Sequence, residues 1–290
     1  PDLHAVAINH DRVYLATIKE VFVADRVSDG SLGALKRIMG DLPDGGQHPN
    51  RTLGFGPDGM LYVSVGSTCN ACTETSPESA TLLRAALDGS TRKVFASGLR
   101  NTIGFAWHPQ TNELWAMDHG IDWLGDNEQG EELIRLTDGA KYGWPYIYGK
   151  SKHNPADEPP GEATHEQWAK ESQEPVLLYT AHAAPMQMVF YTGEQFPPEY
   201  RNDAFVTMRG SWNRKPPSGY EVVRVRFENG KPTSFEPFLR GFLNSQGQFG
   251  RPVGLAVARD GSLLIGDDTN GVIYRVTYGG GPRSSGLGTK

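Results

Sequence analysis

A strand, a tight turn and a second strand recur along this chain at intervals that call for a repeat architecture. Phe55-Gly56-Pro57-Asp58-Gly59-Met60-Leu61-Tyr62-Val63 returns as Ala106-Trp107-His108-Pro109 followed by Glu113-Leu114-Trp115-Ala116, and again as Ala256-Val257-Ala258-Arg259-Asp260-Gly261-Ser262-Leu263-Leu264-Ile265. Self-similarity with a period of about 40–50 residues marks propellers and solenoids. The Asp-Gly pairs at 58–59 and 260–261 suit hairpin turns, because glycine reaches positive φ without a steric cost and aspartate bonds the backbone across the turn. Weaker copies run from Ala5-Val6-Ala7-Ile8 into Val13-Tyr14-Leu15-Ala16, and from Met188-Val189-Phe190-Tyr191 to Ala204-Phe205-Val206-Thr207.

Third strands follow at 82–87, 132–136, 220–227 and 272–276, and the last two alternate apolar and polar residues as half-buried strands do. Five units begin near residues 3, 51, 102, 187 and 252, and the fifth lacks an obvious fourth strand. The expected fold is therefore all-β: a β-propeller of four-stranded antiparallel blades, forming a single domain over residues 1–278. The insert at 151–174, with Pro155, Pro159, Pro160 and many charges, reads as a surface excursion with room for a short helix near 162–170. Gly279-Gly280-Gly281 opens a tail, 279–290, that is expected to be flexible.

Composition removes several partners. The net charge of −6 and the absence of a long Lys/Arg run argue against nucleic acid, whose phosphates reward a basic face. No stretch approaches the roughly 18 consecutive apolar residues that span a bilayer. The chain opens at Pro1 with neither Met nor a signal peptide, which reads as processed or cut from something longer. Its only cysteines, Cys69 and Cys72, could form a redox pair, half a zinc site or a local disulfide. Without a second C-x-x-C or a βαβ pattern, a loop-closing disulfide is the expectation, and with it a periplasmic or secreted location.

Polar residues gather just before the strand that opens each unit: His48, Asn50 and Arg51, then Arg100 and Asn101, then His182, then Arg251. In a propeller these positions surround one mouth of the central channel. Any one arginine there would ordinarily be a rim salt bridge, but recurrence at the same blade position makes a ring of His, Arg and Asn a site candidate.

Five motifs then carry a specific resemblance. Gly-Gly-Gln-His-Pro-Asn-Arg-Thr-Leu-Gly-Phe-Gly-Pro-Asp-Gly (45–59), Gly-Leu-Arg-Asn (98–101), Tyr-Gly-Trp-Pro (142–145), Gly-Ser-Trp-Asn-Arg (210–214) and Gly-Arg-Pro-Val-Gly (250–254) stand in this order. The chain thereby resembles the glucose/sorbosone dehydrogenase family of soluble quinone-dependent sugar dehydrogenases. The resemblance implies a six-bladed propeller that holds pyrroloquinoline quinone (PQQ) and Ca2+ and oxidises an aldose or a sorbosone-type aldehyde, passing electrons to an acceptor that the sequence does not identify. The five units then correspond to the second to sixth blades, and the first blade, with one cofactor contact, falls before Pro1.

Carried onto this sequence, the family pattern makes His48 the general base, since imidazole titrates near the working pH. Arg100 becomes the group that stabilises a developing oxyanion. Asn101, His119, His182, Arg209 and Arg251 become cofactor-binding residues, the arginines suited to the carboxylates of the quinone. Asp118-His119-Gly120-Ile121-Asp122 matches the family's metal loop, so the carbonyls of Gly120 and Ile121 are expected calcium ligands, with Glu131 as a second-site candidate. The acidic run through Asp122, Asp126, Glu128, Glu131 and Glu132 otherwise reads as a solvated loop. Trp144 and Trp212 are expected to be packing residues. The rival functions are a non-catalytic propeller scaffold and a calcium-dependent propeller lactonase, the latter requiring acidic and Asn side chains directed into the channel.

Overall fold

A computed structural model describes residues 3–279, so the tail expected at 279–290 lies outside the described residues apart from Gly279. Five consecutive antiparallel sheets account for most of the strands. Blade I is Ala5–Asn9, Arg12–Ala16, Val21–Asp25 and Lys36–Met39. Blade II is Leu53–Phe55, Leu61–Val65, Thr81–Ala85 and Arg92–Ser97, to which Ala140–Lys141 adds in parallel at the outer edge. Blade III is Thr102–Trp107, Leu114–Asp118, Glu131–Leu136 and Leu177–Tyr179. Blade IV is Pro185–Phe190, Ala204–Met208, Glu221–Glu228 and Lys231–Leu239, and blade V has three strands, Pro252–Val257, Leu263–Asp267 and Val272–Val276. The expected propeller of repeated blades is the observed one.

The period-2 geometry of a strand decides which neighbour each side chain meets. In the second strand of blade II, Leu61 and Val63 enter a core shared with Tyr14 and Val21 of blade I, while Tyr62 joins Phe105 and Leu114 of blade III. In blade III, Trp115 and Met117 turn instead to Met188 and Val206 of blade IV. Blades IV and V share Phe205, Val222, Leu255 and Ile265. The second strands of blades II, III and IV are thus covered on both faces and read as largely apolar runs, as in buried sheets.

The alternation expected in 220–227 has a different cause. Arg224 is not on a solvated face but 7% exposed. It pairs with Asp203 at 2.5 Å and stacks 4.0 Å over the Tyr200 ring. Strand Val272–Val276, by contrast, is an exposed edge, with Ile273 at 73%. The four shared cores join I to II, II to III, III to IV and IV to V, and among the described residues none joins V back to I.

The insert contains Lys152–His153, paired with Ile147–Tyr148, and one α-helix, α1 (His165–Glu171). Thr164 and Gln167 cap that helix reciprocally, which satisfies two amides that a helix start leaves unpaired. Among the described residues no helix is long and apolar enough to cross a membrane.

Candidate active site

The leading ends of the inner strands and the trailing ends of the second strands lie at the same end of each blade, because the two strands are antiparallel. There the chain uses one device twice. Asp118, at the end of the second strand of blade III, accepts from Arg100 N at 2.8 Å, Asn101 N at 2.9 Å and Thr102 Oγ1 at 2.8 Å. Asp267, at the same place in blade V, accepts from Arg251 N at 3.0 Å. Each carboxylate fixes the backbone that carries a candidate arginine. Burial pushes Asp118 above the ordinary carboxylate range, while its three donors pull it back.

His48 sits half-buried in the loop between blades I and II. Its Nδ1 lies 2.8 Å from Ser67 Oγ and 3.0 Å from Ser67 O. Ser67 Oγ gives its own hydrogen to Cys69 O at 2.6 Å, so both groups facing Nδ1 are acceptors. The proton therefore resides on Nδ1, and the lone pair on Nε2, which has no protein partner. Burial first, then the neighbouring Arg100 guanidinium and His119 ring, lower His48 from 6.5 to about 3, so the ring is neutral at physiological pH. Gly66 makes room for this arrangement: a Cβ there would come within 2.6 Å of His48 Cβ and 3.0 Å of Asn101 Oδ1. The Cys69–Cys72 disulfide that the spacing suggested is formed, and it closes the loop whose carbonyl orients Ser67.

Arg100 is 3% exposed. Its Nε donates to Asn70 O at 2.9 Å, and Nη2 donates to Asn70 Oδ1 at 2.8 Å and Asp122 Oδ2 at 2.7 Å. Nη1 is left without a protein partner. His119 donates Nε2–H to the Pro185 carbonyl, and burial lowers it to about 4. His48, Arg100 and His119 thus form one electrostatic group.

The Gly120–Ile121 loop is held by its amides: Gly120 N donates to Glu131 Oε2 at 3.0 Å and Ile121 N to Gln129 Oε1 at 3.1 Å. Their carbonyls have no hydrogen-bond partner. The other oxygen of Glu131 accepts from Ala184 N at 2.8 Å, so this carboxylate braces the loop and is not a free arm. Burial raises Glu131 to about 7 and Glu132 to about 8. These two are 2% and 4% exposed, which corrects the solvated-loop reading for their part of the acidic run. Among the described residues, only Cys69, Cys72 and Glu74 bring three His, Cys, Asp or Glu ligand atoms together, and those sulfurs are bonded to each other.

The remaining candidates divide. Arg251 donates to Gln248 Oε1 at 3.1 Å, Gly210 O at 3.2 Å and Tyr220 OH at 3.2 Å, and faces no carboxylate. Arg209 pairs with Asp268 at 2.8 Å, the rim ion pair expected of an ordinary arginine. His182 contacts Gly125 O at 2.8 Å and ties down the loop after Ile121. Trp144 is a packing residue at 6% exposure, but Trp212 is not: it stands 75% exposed. Asn213 beside it donates to Asp122 O at 2.9 Å, which ties its segment to the loop that carries Trp123, itself 56% exposed.

Two named residues have supporting roles that the sequence reading did not give them. Asp118 was legible by aligning the repeats, since it and Asp267 end equivalent strands. Arg51 gave no such signal: it is 1% exposed and donates to the carbonyls of Ile18, Pro43, His48, Pro49 and Asn50. It is the internal scaffold of the His48 loop, not a mouth residue.

These features fall within a known class. The chain belongs to the TrAA12-like family, whose model matches residues 3–279. An uncharacterized protein of Borreliella burgdorferi is 31% identical over 92% of this chain and 73% of its own length. Among solved structures, a Trichoderma reesei protein of Carbohydrate-Active Enzymes Family AA12 superposes with a TM-score of 0.80 at 22% identity, covering 93% of this chain and 79% of that one. The PQQ domain of pyranose dehydrogenase from Coprinopsis cinerea, in its holo form, gives a TM-score of 0.76 at 21% identity, covering 94% and 81%. At these identities the superpositions establish the shared fold.

Proposed function

We propose that this chain is a PQQ-dependent sugar dehydrogenase acting on an aldose or a sorbosone-type aldehyde, with His48 as general base. The observation that carries it is the tautomer of His48: an unpartnered, unprotonated Nε2 beside a buried arginine with a free Nη1. When bound, the quinone would accept hydride from the sugar carbon. The residues supply the rest. His48 Nε2 takes the hydroxyl proton as the C–H bond gives up its hydride and the carbonyl forms. Arg100 Nη1 and the Asn101 side chain offer donors to developing negative charge.

The fit to a polyanion rests on Arg251, whose guanidinium has no carboxylate partner. The fit to calcium rests on the free Gly120 and Ile121 carbonyls, hard oxygens that would hold the ion only with further ligands from the cofactor or water. A lactonase would need converging carboxylates, and among the described residues no three carboxylate oxygens come together. The closed Cys69–Cys72 loop suits an exported protein.

The test is dye reduction by the chain incubated with PQQ and calcium, across a panel of aldoses and sorbosone. Turnover that requires both additions is expected, and a folded protein that reduces no dye with any of them would overturn the proposal.

A further inference from the structure

Blade II, the loops that follow its strands and the insert line an open cavity of about 260 Å³. Its walls include Trp144, Tyr146 and Trp168, the last carried by α1. The rings are locked by their polar atoms. Trp144 Nε1 donates to Asn70 O at 3.2 Å, Trp168 Nε1 to Gly143 O at 3.1 Å, and Tyr146 OH shares a hydrogen with Thr73 Oγ1 at 2.5 Å. What they present to the cavity is carbon surface and π-face.

One group in the wall is unsatisfied. Ser79 is 5% exposed, and its Oγ has no hydrogen-bond partner. Such a hydroxyl costs about 1–3 kcal/mol unless something meets it. The charged side chains, in contrast, are already engaged: Glu74 accepts from Thr68 N at 2.6 Å and Thr68 Oγ1 at 2.8 Å, and Lys141 pairs with Glu171 at 2.5 Å. The lining therefore calls for a neutral ligand with an apolar face and hydroxyls at its edge. At the small end of ligand pockets, which run from about 300 Å³ upward, the volume suits a single ring. One backbone group links the cavity wall to the candidate site: Asn70 O, the acceptor of Trp144 Nε1, accepts from Arg100 Nε as well.

We propose that this cavity is a subsite for one neutral pyranose unit of an oligosaccharide. It rests on the proposed sugar chemistry only for its consequence, which is that longer neutral saccharides are preferred to monosaccharides.

The experiment is calorimetric titration of cofactor-free protein with glucose, cellotetraose, xylotetraose and mannotetraose. It compares wild type with Trp168→Ala and Ser79→Ala, each checked for folding by its melting temperature. At least one tetraose should bind wild type, and Trp168→Ala should weaken it by about tenfold or more. Ser79→Ala should weaken it several-fold, to about a third of the affinity or less, without lowering the melting temperature, because an unsatisfied group is removed. No binding by any tetraose, or Trp168→Ala and Ser79→Ala proteins that bind as wild type, overturns the subsite. Because no cofactor is present, a chain silent in the dye assay that still binds a tetraose through Trp168 would defeat the redox proposal alone.

Discussion

At the residue scale, the identity of the base could be read from the sequence, but its state could not. His48 stood in a family motif, whereas the Ser67 hydroxyl and the Cys69 carbonyl that fix its tautomer meet it only through the fold. With its pKa near 3, His48 is already a base throughout neutral and mildly acidic pH. An unperturbed imidazole would lose activity as pH falls through its ordinary value. Here kcat/KM should stay flat down to about pH 5, because the lone pair is protonated only well below that. Arg100→Met removes a neighbouring positive charge and should move the acidic limb upward. His48→Gln should lower kcat by about a hundred- to ten-thousand-fold while retaining the quinone. Stopped-flow and pH-rate profiles decide both, and near-normal turnover by a fully loaded His48→Gln protein removes it as base. Trp212 makes a second case: at 75% exposure beside the mouth, its truncation to Ala should raise KM for the sugar and leave the melting temperature in place. Its exposure was not legible because a tryptophan in a loop motif looks the same whether it packs inward or outward.

At the element scale, inner hairpins and third strands were legible and fourth strands largely were not. The inner pairs carry apolar runs and Asp-Gly turns, as at Asp58-Gly59, where Gly59 has φ +72°. The fourth strands sit against solvent with weak patterns, and that of blade III, Leu177–Tyr179, arrives only after the insert. Between these elements, the aspartates that end second strands hold the arginine-bearing ends of first strands. The two copies differ in what would replace them. The donors to Asp118 are buried, so Asp118→Ala should cost about 3 kcal/mol or more as amides and a hydroxyl lose their acceptor. Asp267 also serves Thr269 and Asn270, which are exposed, so water can substitute and Asp267→Ala should cost roughly 1 kcal/mol. Urea unfolding of the two variants measures the difference, and equal costs would mean that the clasp in blade III is no more buried than that in blade V.

At the scale of the whole molecule, the five blades form a series joined by four cores, and the outward faces at its two ends stay apolar. On the first inner strand, Ala5 and Ala7 turn toward the core shared with blade II, while Val6 and Ile8 on the opposite face are 64% and 59% exposed. Strand alternation dictates that pattern once no blade lies against Val6 and Ile8. Neighbouring apolar side chains on an open strand face are a liability for association, and a charge placed there is a natural remedy. In the 290-residue chain, Val6→Lys combined with Ile8→Lys should change stability by no more than about 0.5 kcal/mol per site, the usual range for surface positions, and should reduce binding of a hydrophobic dye. Ala7→Lys, one residue away, should cost several times more, on the order of 2 kcal/mol or above, because it drives a charge into the core between blades I and II. If the Val6/Ile8 pair proves as costly as Ala7, those side chains are covered in solution, and concentration-dependent melting then tells whether a second copy covers them.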